Sequence, residues 1–349
     1  MSGCQSVEQL SIDYMLPGDI SFPSSLRKVA VINNAPQALD GLTAENHPTR
    51  QEEDDEIVQA TRHYHGYTAV TTESLAQALA DENYFDEVVI CDSALNSGTE
   101  GMNILSRDDV NSLAKNLDVD FLIALEDIQM DATYKIDFMP GWGLFYGTTD
   151  VKVYPIVRIY MPNHKNPTVT VSPNDSIFWD ATGNSKNDVL SNLIQEKDMI
   201  RQASEFAGTV PVKHLLPNWK TAYRYLFTGG SVNMRDASVY AKEGNWENAI
   251  ALWEIQYNTQ KGKKKMKAAY NIALGYEMQD SINHALDWAI KAFNIACEID
   301  HVDNETVHDA NVIKNKRNYL LTALYINELQ ERKNSLHLLN AQMKRFEEE

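Results

Sequence analysis

The chain has 349 residues and a formal net charge of −18. Its length points to two domains, and 43% hydrophobic residues supply a proper core. So acidic a balance excludes the basic surface that nucleic-acid phosphates require. No window is long and apolar enough to span a bilayer.

The three cysteines are Cys4, Cys91 and Cys297, with no CxxC pair and no disulfide framework. Met1-Ser2-Gly3-Cys4 reads as the trailing end of a bacterial lipobox, in which small residues precede an acylated Cys. No charged and apolar leader stands ahead of it, so the start reads as trimmed. The plainer alternative is a chance Cys in a cytosolic protein. Cys91 and Cys297 read as small buried hydrophobes.

In chain order, Leu10, Ile12 and Tyr14 alternate as in a strand, and Pro17-Gly18 makes a turn. Val29 to Asn33 is a short buried-type strand. The acidic run Glu52–Glu56 reads as a solvated loop or helix start, with no glycine to converge it on a cation. Thr72 caps a helix over Glu73–Ala80, and Glu87–Cys91 is a second buried strand. Ser106 caps a helix to about Leu117, with Asp108 and Asp109 in its first turn, where the helix dipole favours them. Val119–Ile128 is the next strand, and the alternating order predicts an α/β layered sheet. From Thr133 to Trp179 alternation predicts antiparallel hairpins: Val151, Val153, Val157 and Ile159 share one face, Lys152, Arg158 and Tyr160 the other.

Past Gly183 the chain reads as helical. Asn187–Phe206 is one helix, Pro211–Phe227 another broken at Pro217, and Asn304–Leu329 and Arg332–Phe346 close the domain. Between them lies an internal repeat. Ala237, Tyr240, Gly244, Ala249 and Trp253 are matched by Ala273, Tyr276, Asp280, Ala285 and Ala289. The second copy starts 36 residues after the first, Ala273 against Ala237, close to the roughly 34 of a tetratricopeptide repeat. These residues resemble that family, departing from it at Gln256 and at the lysine-rich inter-repeat segment.

Two wider resemblances follow. The Val29–Ile32 strand, the Asp108–Asn116 helix and the step Val119-Asp120-Phe121 resemble the α/β domain of envelope lipoproteins such as the curli-secretion protein and penicillin-binding-protein activators. The whole chain is similar to an uncharacterised family of Bacteroidetes lipoproteins with C-terminal tetratricopeptide-like helices. That similarity rests on Leu16-Pro17, the Val29–Asn33 strand, Leu216-Pro217-Asn218-Trp219 with Arg224-Tyr225, and Gly244-Asn245-Trp246 with Ala249 and Trp253. It implies a location at a bacterial envelope, outer membrane first, and an architecture, but no activity.

No phosphate-binding glycine loop, nucleophile elbow or HExxH motif is present. His63 and His65 read as part of an exposed turn, because no third metal ligand has suitable spacing. Glu126 and Asp127 read as solvated, since neighbours on a strand point apart. Trp142, Trp219, Trp246, Trp253 and Trp288 read as core. The basic cluster Lys261, Lys263, Lys264, Lys265 and Lys267 suits an acidic partner or anionic headgroups; the plainer reading is a solvated turn.

The resulting expectation is an α+β chain. Residues 1–25 form a lipoprotein start and first strand, 26–183 a mixed α/β domain, and 184–349 an all-α domain with tetratricopeptide-like repeats at 234–300. The expected function is a non-enzymatic, lipid-anchored scaffold without metal or cofactor. It would bind a protein or peptide through the first helices of the repeats, at Arg235, Ser238, Lys242, Lys267, Asn271 and Glu277. The competing expectation is a small-ligand binder or enzyme at the strand ends near Asn33, Asp92 and Asp127.

Overall fold

The computed structural model describes residues 6–36, 41, 43–44, 58–91, 95, 104–303, 306–308 and 313–347. It holds an N-terminal mixed α/β sheet domain followed by a C-terminal bundle of packed helices. Two compact units divide the chain: Gly18–Leu216 with Lys344–Glu349, and Met1–Pro17 with Pro217–Met343.

The α/β unit is an eight-stranded sheet built around two long strands. β1 (Val7–Leu16) belongs to the other unit. β2 (Lys28–Asn33), β3 (Thr43–Ala44), β4 (Val58–His65), α1 (Thr68–Asp81), β5 (Glu87–Cys91) and α2 (Arg107–Leu117) precede β6 (Phe121–Met139) and β7 (Leu144–Tyr160). β6 and β7 form a hairpin paired along its whole length. The free edge of β6 is shared: its first residues pair parallel with β2, and after a bulge between Leu125 and Asp127 it pairs antiparallel with β4. β5 adds to β2 in parallel. The far edge of β7 takes β8 (Val169–Val171) and β9 (Asp175–Gly183).

Alternation distributes the side chains between two faces. Val29, Val31, Phe121, Ile123 and Leu125 pack with Leu75 and Leu79 of α1, whereas Ala30, Ile32, Leu122 and Ala124 pack with Val110 and Ala114 of α2. Asp120 ties the two parallel strands at their start, its carboxylate accepting from the amides of Arg27 (2.7 Å) and Lys28 (2.8 Å). Ser106 and Asp109 form a reciprocal capping box on α2, a device that stabilises a helix start by about 1 kcal/mol.

The sequence assigns everything past Gly183 to the helical domain, and the structure differs. α3 (Lys186–Asn192), α4 (Glu196–Thr209) and α5 (Val212–Leu215) belong to the α/β unit. α4 buries Met199, Ile200, Ala203 and Ala207 against the β6–β7 strands. It also runs close to α1. A Cβ at Gly208 would stand 2.6 Å from the Thr71 carbonyl, so only glycine permits that approach. Amphipathic periodicity identifies a helix but not the surface it covers.

The helical unit comprises β10 (Asn218–Phe227), α6 (Val232–Lys242), α7 (Trp246–Thr259), α8 (Gly262–Glu277), α9 (Ile282–Asp300) and α10 (Arg317–Met343), together with β1. Ala237, Ala249, Ala273, Ala285, Ala292 and Ala296 are fully buried, with Trp253 and Tyr270 filling the space between helices. Gly244 at the α6–α7 turn has φ +75° and Asp280 at the α8–α9 turn φ +55°, so both hairpins turn through the left-handed region. Where the sequence predicts two closing helices broken before Arg332, α10 is a single helix of 27 residues. Nothing in its Glu328–Lys333 stretch opposes helix formation. Where it predicts a helix over Pro211–Phe227, Pro217 instead marks the change from the short α5 to a strand. β10 pairs antiparallel with β1, Val7 opposite Phe227 and Leu16 opposite Asn218.

Candidate functional site

The face expected to receive a partner is already occupied by the chain itself. Asn271 of α8 is fully buried, and its side chain clasps the end of β10: Oδ1 accepts from the Phe227 amide (3.0 Å) and Nδ2 donates to the Phe227 carbonyl (2.8 Å). Glu277, also fully buried, accepts from Arg224 Nε and Nη2 (both 2.9 Å), Tyr325 Oη (2.8 Å) and Arg332 Nη1 (3.4 Å). Burial opposes the Arg224 charge, but the Glu277 and Glu328 carboxylates raise its pKa. Ser238 is buried, its hydroxyl donating to the Arg235 carbonyl. Lys242 pairs with Glu8 of β1 at 2.8 Å, and Lys267 is half-buried with its ammonium 4.8 Å above the Phe227 ring. Arg235 is exposed. The expectation that Ser238, Asn271 and Glu277 stand clear of packing is therefore corrected: Ser238 is buried on α6, and Asn271, Glu277, Lys242 and Lys267 contact the β1–β10 ribbon. Sequence reasoning missed this because it read β10 as helix. The signal was present in Ala222, Arg224 and Leu226 alternating with Tyr223 and Tyr225.

The ribbon's other face is open. Trp219, Tyr223 and Tyr225 are 68%, 64% and 48% exposed. Opposite them in register stand Met15, Ser11 and Gln9, and residues directly paired across an antiparallel ribbon share a face. Thr221 donates to Asp13 across the strands at 2.6 Å. The expectation that the tryptophans are core is correct for Trp253 and not for Trp219 or Trp142, the latter 73% exposed in the β6–β7 turn.

A second polar site lies at the strand ends of the α/β unit. Glu126 occupies the β6 bulge and is fully buried, contrary to its reading as solvated. The bulge inserts a residue and re-aims the side chain. Its carboxylate accepts from Tyr160 Oη (2.7 Å) and Asn34 Nδ2 (2.9 Å), with Arg158 Nη1 at 3.5 Å. Burial raises the Glu126 pKa against these donors, and burial with the Glu126 charge pushes Tyr160 up to about 12. Asn34 also lines a cavity of about 490 Å³ with Leu95, Leu105, Asp109, Ser112 and Asn116.

The residues expected to converge there do not. Asn33 donates to Thr68 of α1 (3.1 Å), Asp127 accepts from its neighbours Ile128 and Gln129, and Asp92 lies outside the described residues. Cys4 lies outside them too. Cys91 and Cys297 are half-buried free thiols. His63 and His65 sit in β4 rather than a turn, with His63 bonded to Asp131. No group of side chains able to hold a metal ion occurs among the described residues. Nor is any helix among them long and apolar enough to cross a membrane.

A family model described as a domain of unknown function, DUF8603, matches residues 26–227, over half of the chain. The chain belongs to the DUF8603 family. A second model, also a domain of unknown function (DUF6340), matches residues 235–331. The DUF8603 match takes in the Glu126 site and ends on Phe227, so it includes β10 but not β1. No curated protein and no solved structure matches the chain.

Proposed function

We propose that this protein is a non-enzymatic scaffold that engages a protein or peptide partner with the open face of the β1–β10 ribbon. One observation carries the reading: Trp219, Tyr223 and Tyr225 stand exposed in a row on a strand whose other side is fastened to the helices. Rigidly held aromatics supply large contact area at little cost in conformational entropy. The helices take the part of a backing. We read α6–α9 as two tetratricopeptide-like hairpins, supported by the matched left-handed turns at Gly244 and Asp280 and the matched buried pairs Ala237/Ala273 and Ala249/Ala285. In this reading the ribbon fills the groove where such repeats hold a peptide, and presents its own outer face instead.

Attachment to a bacterial envelope through an acylated Cys4 completes the proposal. It is supported by the lipobox-like Ser2-Gly3-Cys4 and by the resemblance to envelope lipoproteins. Radiolabelled palmitate should enter the native protein and not the Cys4→Ser form; equal labelling removes the anchor. The partner surface is tested with Trp219→Ala combined with Tyr223→Ala in the full chain. Cross-linking in envelope preparations should lose the specific partners of the wild type while the circular dichroism melting curve stays in place. Retention of every specific partner overturns the reading.

A further inference from the structure

A cavity of about 310 Å³ in the helical unit is lined by Gly229, Gly230, Met234, Gln256, Lys263, Lys264 and Lys267. It joins the starts of two helices. Gly229-Gly230-Ser231 leads into α6, and the lysine run read from sequence as a turn is the first turns of α8. A helix start carries unsatisfied amides and the positive end of the dipole. Neither α6 nor α8 has an acidic residue in its first turn. In α8 that turn instead carries lysines, the charge the dipole disfavours.

Within a chain of net charge −18, Lys263, Lys264 and Lys267 have no carboxylate partner among the described residues. Burial and the neighbouring Lys263 lower the Lys267 pKa, as expected of ammonium groups gathered without a counter-charge. Gln256 is 2% exposed. Its Oε1 accepts from Ser231 Oγ at 2.8 Å, and its Nε2 has no hydrogen-bond partner among the described residues. That nitrogen is not among the fully buried unpartnered atoms, so it opens onto the cavity and can donate to a bound group. Gly230 has φ +115° with open space where a Cβ would stand, so backbone is exposed at the rim.

We infer that this cavity is an anion site that takes a phosphate-bearing group, from a small phosphomonoester or from a lipid headgroup. A phosphate monoester brings close to two negative charges and three acceptor oxygens. Three lining lysines and the Gln256 amide can answer such a group more fully than a single carboxylate. The volume lies at the small end of ligand cavities. Met234 supplies an apolar wall for what the phosphate is attached to. The site is independent of the ribbon's open face.

The test uses the full chain with inorganic phosphate as probe, at constant ionic strength and with acetate as control, read by calorimetry and by the shift in melting temperature. A parallel arm measures flotation with phosphatidylcholine vesicles with and without phosphatidic acid, the lipid whose headgroup is a phosphomonoester. Saturable binding of phosphate over acetate, or of phosphatidic acid vesicles over plain ones, is expected. Lys263→Gln with Lys264→Gln, both exposed and off the core, should weaken it about tenfold per lysine. Gln256→Leu should weaken it too. Binding of phosphate identifies the small-molecule source, and binding of charged vesicles alone identifies the headgroup. No saturable binding in either arm, or equal binding by the lysine double variant with an unchanged melting curve, overturns the site.

Discussion

Glu126 and Glu277 are both fully buried, and each faces arginine and tyrosine, yet the two serve their units differently. Glu277 is answered by three residues from two elements: Arg224 of β10 with two nitrogens, and Tyr325 and Arg332 of α10. Each bond fastens one element to another, so the carboxylate acts as a rivet for the ribbon and the last helix. Glu126 is answered by a neutral tyrosine and a neutral amide, with its arginine farther away at 3.5 Å. Its burial is less fully compensated, which is why its pKa rises. A buried carboxylate is therefore no single kind of feature. The number and charge of its donors decide how firmly it fastens the elements around it.

The strongest way to break this contrast is Glu277→Ala, which leaves Arg224 without its bidentate carboxylate in a buried setting. A loss of about 3–5 kcal/mol is expected in urea unfolding, and a loss below about 1 kcal/mol would mean the network is not a lock. Tyr325→Phe removes one charge-assisted bond while the arginines stay. It should cost about 1.5–3 kcal/mol by the same measurement.

Glu126 supplies a test of sign. Its folded pKa lies above the ordinary 4.5, so between those two values the native state holds more protons than the unfolded state. Stability then falls as pH rises through that window. Glu126→Gln abolishes the titration, so the variant should gain on the wild type as pH is raised from about 4.5. Urea midpoints across that range check it, and a difference flat with pH would show that Glu126 carries no raised pKa. The smallest effect is expected from Trp219→Ala. That side chain is 68% exposed, and its loss should shift stability by no more than about 0.5 kcal/mol while partner binding falls.

The α/β sheet is legible in the sequence because its strands are short apolar runs or strict alternations, as at Val29–Ile32 and Val151–Ile159. The packed helices of the C-terminal unit are legible because small residues recur there at helical spacing. The sites are not, for a physical reason. Glu126 reads as a solvated strand end, since one bulge residue re-aims it and no local pattern marks a bulge. Asn271 and Glu277 read as surface polar residues on a helix. What buries them is a ribbon whose halves lie at Val7–Leu16 and Asn218–Phe227, and pairing at that separation leaves no trace in either segment alone.

That ribbon also sets the order of events as the chain is made. β1 emerges before the sheet strands β2–β9, and β10 only after all of them. Closing a loop of that length adds little beyond the cost of a shorter one, since each doubling costs about 0.6 kcal/mol. The delay is kinetic rather than thermodynamic. Until β10 arrives, Ile12 and Tyr14 have no ribbon to complete and both edges of β1 stand unpaired, a state that invites pairing with other chains. No strand of the α/β sheet pairs with β1, whereas the helical unit needs both Val7–Leu16 and Asn218–Phe227. A protein begun at residue 18 would then carry a sound sheet and a helical unit whose β10 edge is left for a neighbour to take.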